Sequence, residues 1–429
     1  MNSTSEKNSL AEKAVRIEQY IEDHFIDQDG MVYACINSVT HRPWIEQDFA
    51  AGDDCQPVLG ITPWDFVNYE NSGMTTGSYL AAQSFKWRVT KDERAYARAK
   101  KAFKGICRIY ELGRQKEEGF FPKTYGGRFS HELSSDQYQW AIKGMMEWLP
   151  VAPWDDAASI RRMVPKMVDY WMKRKYHHDY FALKDLEWPL GRFVSLLYAA
   201  HAASGDQKYL DEAERLHDER NVHLNPPDGQ ILHRARAGDA FSEIEKSLGD
   251  CYLAPHGTVE VAAMDIMDLD LCLNLSKSRT ENWLQSVATM WEEGTLCLDE
   301  EGFGRVSMVY DPRTSKSWSP EPQWIGGQDP LNWGYLRYIG GHTTARSTQL
   351  ARVGIHVAKW LPEKDAMVIV KKILRNVDMD RMLHVIDPDG HQVPDPFKFM
   401  CRMQDGDAIT NWLWAYWQGR FEGRITADE

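Results

Sequence analysis

Apolar residues return every three or four positions along most of this chain, in runs separated by short polar turns. That pattern predicts antiparallel pairs of amphipathic helices. The turns Thr90-Lys91-Asp92 and Ser204-Gly205-Asp206 mark two such pairs, and in each the Asp can cap the second helix through a side-chain oxygen. Weaker copies turn at residues 276–280, ahead of Glu281-Asn282-Trp283-Leu284, and at residues 360–364, ahead of Asp365-Ala366-Met367-Val368. A fifth pair runs over residues 134–149 and 156–173, with Pro150 and Pro153 breaking the chain between its members.

Residues 9–25 and 405–420 are each helical in pattern and lack a sequential partner. A closed ring pairs them with each other. Six hairpins, with inner helices parallel and outer helices running back, make an all-α (α/α)6 toroid, whereas irregular spacing and long loops weigh against a short-period solenoid. No linker rich in Pro, Gly or Ser divides the hairpins, so residues 1–429 are expected to form a single domain.

Composition adds limits. The chain is 26% charged and 43% hydrophobic, ordinary for a globular protein. Its net charge of −13 offers no concentrated basic face, which argues against a nucleic-acid partner and for a small substrate. No apolar run reaches membrane-spanning length and the first residues are polar, so the expectation is a cytoplasmic protein without a membrane partner, with a homo-oligomer left open. The seven cysteines form no CxxC pair and read as free thiols. With no HxxxH or HExxH spacing, and with Asp53-Asp54 lacking further ligands nearby, neither metal nor other cofactor is expected.

In a toroid the segments leading into the inner helices converge on one mouth, and the conspicuous residues gather there. Trp64, Trp188, Trp318, Trp324 and Trp333 lie in such segments, beside carboxylates, amides and guanidinium groups, a mixture suited to a sugar ring; each indole could equally fill a large helical core. Ser134 or Ser135 can cap the next helix, placing Asp136 in its first turn, where the helix dipole favours a carboxylate. Asp136 is therefore a candidate catalytic acid, or simply a first-turn helper. Glu70 is the second candidate carboxylate, since glycosidic chemistry asks for two in different environments. Its plainer role would be to cap helix three or to pair with Arg128 or Arg192. Arg128, His131 and Arg192 could hold a substrate carboxylate. His256 and His342 each stand at the start of an inner helix, and two histidines facing across a cavity could shuttle a proton as an epimerase requires.

Two segments carry a family likeness. Asn68-Tyr69-Glu70-Asn71-Ser72-Gly73-Met74, followed by a helix closing on Arg88-Val89-Thr90-Lys91-Asp92, and Ser135-Asp136-Gln137-Tyr138 resemble the six-hairpin glycoside hydrolases, in particular unsaturated glucuronyl and rhamnogalacturonyl hydrolases. That resemblance implies Asp136 as proton donor and water activator, Glu70 as its partner acid and Gln137 beside the substrate. The family usually carries Asp where Glu70 stands, and Asn or Thr where Gln137 stands. A second segment, Pro255-His256-Gly257-Thr258-Val259-Glu260, looks like a shuffled Pro-Gly-His-x-x-Glu stretch of the N-acylglucosamine 2-epimerases. The expectation is a glycoside hydrolase acting on a small uronic-acid-containing or related oligosaccharide. The alternatives are a sugar 2-epimerase or isomerase using His256 and His342, and a non-catalytic glycan-binding toroid.

Overall fold

A computed structural model describes residues 9–53, 60–180, 183–187, 191–220, 300–305, 342–386 and 395–429, with isolated positions and short strands between 288 and 317. Among them the helices are α1 (Leu10–His24), α2 (Pro63–Tyr69), α3 (Ser72–Thr90), α4 (Glu93–Arg114), α5 (Ser135–Trp148), α6 (Trp154–Lys173), α7 (Gly191–Ser204), α8 (Lys208–Arg220), α9 (Thr344–Trp360), α10 (Ala366–Asn376) and α11 (Gly406–Phe421). The strands that matter below are β1 (Cys35–Asn37), β2 (His177–Tyr180), β3 (Leu183–Glu187) and, far along the chain, Met403–Asp405, which pairs antiparallel with β1. No described helix is long and apolar enough to cross a membrane.

Burial separates two classes of helix. In α3 every residue from Ser72 to Lys86 is buried, and in α11 every residue from Gly406 to Gly419, so both are surrounded on all sides. By contrast α1 buries only Leu10, Lys13, Ala14, Ile17, Glu18 and Ile21, one stripe at helical spacing, and α4 and α6 do the same. The first class forms an inner layer and the second an outer one. Inner α3 packs between α5 and α11, α9 lies beyond α11, and α7 beside α5, while α4, α8 and α10 return along the outside of α3, α7 and α9. Outer α6 lies chiefly against α7 rather than against its own hairpin partner.

Register shows that the inner helices are parallel. A Cβ added to Gly73 would meet Gln137, and one added to Gly77 would meet the Trp140 carbonyl at 2.2 Å, so both helices advance in the same direction. Gly77 and Gly144 are required here because the α3 and α5 backbones touch with no room for a side chain.

The hairpin turns fall where the sequence places them. Asp92 caps α4 by accepting from the Arg94 N–H at 2.9 Å, and Asp206 accepts from the Lys208 N–H at 3.0 Å. The two ends meet: Glu18 of α1 accepts from the Trp417 indole N–H of α11 at 2.8 Å, and Lys13 lies over the Trp412 ring. Residues 276–284 of the fourth expected turn lie outside the described residues.

One expected loop is a helix. Residues 63–69 form α2, because Thr62 accepts from the Asp65 N–H and Pro63 takes the first helical position, where its missing N–H costs nothing. The turn after α6 also opens into the β2–β3 hairpin, which the helical pattern conceals.

Candidate functional site

Because the inner helices are parallel, the starts of α3, α5, α9 and α11 share one end of the ring, where unpaired N–H groups create a positive potential. Polar residues crowd that end and the axis below it: Ser72, Thr75 and Thr76 of α3, Ser135 and Gln137 of α5, Thr344, Thr348 and Gln349 of α9, and Asp407 and Asn411 of α11 are all buried.

Asp136 sits in the first turn of α5 as expected, half-buried, and its Oδ1 is buried without a hydrogen-bond partner among the described residues. It is therefore not a cap. Ser134 occupies the N-cap position but makes no capping hydrogen bond, contrary to the expectation, and its hydroxyl is likewise buried without a partner.

Glu70 neither caps α3 nor meets Arg128. One carboxylate oxygen pairs with Lys123, whose side chain is 3% exposed, and the other accepts from the Tyr125 hydroxyl at 2.7 Å. Arg128 instead pairs with Asp65 of α2 at 2.6 Å, with 73% of its side chain exposed, so it stands at the outer rim. Gln137 is fully buried and donates to the Glu70 carbonyl (3.4 Å) and to the Asn71 side chain (3.2 Å). That amide nitrogen holds the start of α3 against the start of α5. His131 is exposed, edge-on to Phe129, and Trp64 is half-buried on α2. Trp188, His256, Trp318, Trp324 and Trp333 lie outside the described residues, as do the side chains of Arg192 and His342. The backbone of His342 lies in a short strand immediately before α9, the position expected of it.

Two features were missed from sequence. Asp407, in the first turn of α11, accepts from Asn411 at 2.5 Å and from Gln349 of α9, and is buried. Its signal was legible, since Asp405-Gly406-Asp407 opens an inner helix much as Ser134-Ser135-Asp136 does. The second is a floor. The Arg352 guanidinium, 0% exposed, stacks 3.4 Å from the Trp140 ring centroid and 4.3 Å from that of Trp414, whose own rings meet edge to face. Trp140 lies four residues beyond Asp136, about 6 Å deeper along α5 at helical rise. Both indole N–H groups are buried with no acceptor among the described residues. Buried carboxylate, hydroxyl, amide and indole groups thus gather at this end of the inner helices, next to an aromatic–guanidinium layer.

No family model matches the sequence, and no curated protein matches it. Solved structures do. A D-mannose isomerase superposes with a TM-score of 0.54 at 9% identity, covering 99% of this chain and 100% of that one. The family 76 glycoside hydrolase (mannosidase) Bt3792 from Bacteroides thetaiotaomicron gives 0.52 at 11% identity, covering 97% and 99%, and the cellobiose 2-epimerase from Spirochaeta thermophila gives 0.52 at 12%, covering 98% and 99%. The chain is an (α/α)6 toroid. Likeness at this identity carries the fold, and the toroid's chemistry has to be argued from its own residues.

Proposed function

We propose that this toroid is a carbohydrate-processing enzyme, and specifically a glycoside hydrolase in which Asp136 is the general acid and base. The observation that carries the reading is the buried, unpartnered Asp136 Oδ1 at the mouth end of an inner helix, above a floor of indole and guanidinium groups. A carboxyl group with a free oxygen can deliver a proton to a glycosidic oxygen, or to the vinyl ether of an unsaturated uronide, and then take one from the attacking water. Glu70 has a different part from the one the family likeness implies. Both its oxygens are engaged by Lys123 and Tyr125, so it anchors the mouth. The substrate class, a small uronic-acid-containing oligosaccharide, rests on the sequence resemblance.

Screening the purified chain against saturated and unsaturated uronides, following reducing ends and loss of alkene absorbance, finds the substrate. Asp136→Asn then lowers kcat by about 10²–10⁴-fold while far-UV circular dichroism is unchanged. Near-normal turnover by that variant refutes the assignment.

A second reading has a specific observation in its favour: His342 directly precedes α9, and two of the similar toroids are named an isomerase and an epimerase. A sugar 2-epimerase shuttling a proton through His256 and His342 exchanges the C2 hydrogen with solvent. Deuterium appearing at C2 of a hexose or hexosamine in D2O would place this reading first.

A further inference from the structure

On the small sheet where β1 pairs with Met403–Asp405, three side chains of different chemistry meet. Cys35, His384 and Asp405 each bring one metal-ligating atom to a point where all three lie within 4.8 Å of one another. They come from three separate backbone segments locked into one ladder. Cys35 and Asp405 are directly opposite across the β1 pairing, and the Met382–His384 stretch lies on the other flank, through His384 N–H to Met403 O and Asp405 N–H to Met382 O, both 2.8 Å. The ligand atoms therefore ride on hydrogen-bonded backbone rather than on loose loops.

Each group is also oriented for the task. Asp405 Oδ1 caps α11, accepting from the N–H groups of Asp407 (2.8 Å) and Ala408 (3.1 Å), which leaves Oδ2 turned toward His384 Nδ1 at 3.2 Å. Two ligands about 2.0 Å from a tetrahedral zinc ion lie about 3.3 Å apart, so this spacing matches one edge of a coordination tetrahedron. The capping N–H groups fix the orientation of the carboxylate. Cys35 is buried, directly across the strand pairing from Asp405. Exchanging the Cys35 thiol proton for a divalent cation makes the cluster neutral: one thiolate, one carboxylate, one neutral imidazole and Zn2+. The thiol excludes Mg2+ and Ca2+, which require oxygen ligands. The His384 side chain is 29% exposed.

We propose that Cys35, His384 and Asp405 form a zinc-binding site that pins the start of α11 to β1. Binding forms bonds from Zn2+ to Cys35 Sγ, a His384 ring nitrogen and Asp405 Oδ2, and releases the Cys35 thiol proton to solvent, so affinity rises with pH.

Full-length protein treated with EDTA and then titrated with Zn2+ against a chromophoric chelator tests this. The wild type is expected to take up one competing equivalent at this site, and His384→Ala and Cys35→Ser to weaken that uptake at least tenfold. Co2+ should produce the near-ultraviolet absorbance of a cobalt–thiolate bond in the wild type and lose it in Cys35→Ser. If burial makes Cys35→Ser unstable, His384→Ala, at a part-exposed position, decides the matter alone. Wild-type uptake no tighter than that of His384→Ala, or a cobalt-loaded wild type without the thiolate band, overturns the proposal.

Discussion

One buried carboxylate helps to tie the two ends of the chain together, and removing its charge is a sharp test of the fold. Glu18 of α1 is 2% exposed; its Oε2 meets Lys86 of α3 at 2.5 Å and Arg98 of α4 at 3.3 Å, while Oε1 accepts from Trp417 of α11. Four helices, two inner and two outer, thus converge on a single side chain. Glu18→Gln preserves its size and leaves an oxygen for the indole, but strips Lys86 and Arg98 of their closest counter-charge. Breaking a buried ion pair from one side costs about 3–5 kcal/mol, because the remaining charge stays desolvated. Part of that is recovered here: Lys86 retains Asp92 at 3.4 Å and the Trp417 ring face, and Arg98 retains Glu22 at 3.7 Å. The expected loss is therefore about 2–3 kcal/mol. Urea unfolding followed by tryptophan emission measures it. Lys86→Met, and the pair of substitutions together, complete a double-mutant cycle in which the double variant is less destabilised than the sum of the singles by about 1–3 kcal/mol. A Glu18→Gln midpoint equivalent to less than about 0.5 kcal/mol, or simple additivity in the cycle, refutes the idea that this ion pair helps to tie the two ends together.

Two further perturbations probe the helix layers. Gly77→Ala places a methyl group 2.2 Å from the Trp140 carbonyl oxygen, so α3 and α5 must part; despite the better helix propensity of Ala, we expect a loss of about 1–3 kcal/mol, and an unchanged denaturation midpoint would contradict the observed helix approach. Glu117, at the end of the α3–α4 hairpin, is drawn down from 4.5 to about 2, first by its hydrogen bond to Arg174, against some desolvation, and then by Lys173. A depressed carboxylate contributes stability above its unfolded value that disappears as pH falls through the folded one. With solvent screening of this partly exposed group, the stability difference between wild type and Glu117→Gln should be about 1 kcal/mol at pH 7 and fade between about pH 4.5 and pH 2; a difference constant across that range would refute it.

Much of the architecture was legible because helical amphipathicity and capping are local. Ser9 and Phe25 prove to be the caps of α1, and Asp405 the N-cap of α11, so those helices match the pattern to within a residue. The short α2 was overlooked although Thr62-Pro63 is a recognisable start, because seven residues are too few to show helical periodicity. The candidate site was legible only in part. Asp136 belongs to the first turn by its own sequence, and that placement held, with the unpartnered oxygen as the structural addition. Glu70 was read as a second catalytic carboxylate, or else as a cap or a partner of Arg128 or Arg192; it pairs with Lys123, an ordinary-looking residue in a loop, because charge pairing is settled by which loops touch.

The chain's own spacing of apolar residues, turn residues and caps determined the hairpins, their direction and the meeting of the two ends, since each of these follows from interactions within a few turns of helix or from an exposed apolar stripe that must be covered. Three-dimensional packing alone decided what those helices bring together. Arg352 lies between Trp140 and Trp414, Asp407 is held by Gln349, and Cys35 stands across from Asp405 with His384 alongside. Such contacts join residues tens to hundreds of positions apart, and no periodicity along the chain encodes a distance between helices that only the closed ring sets.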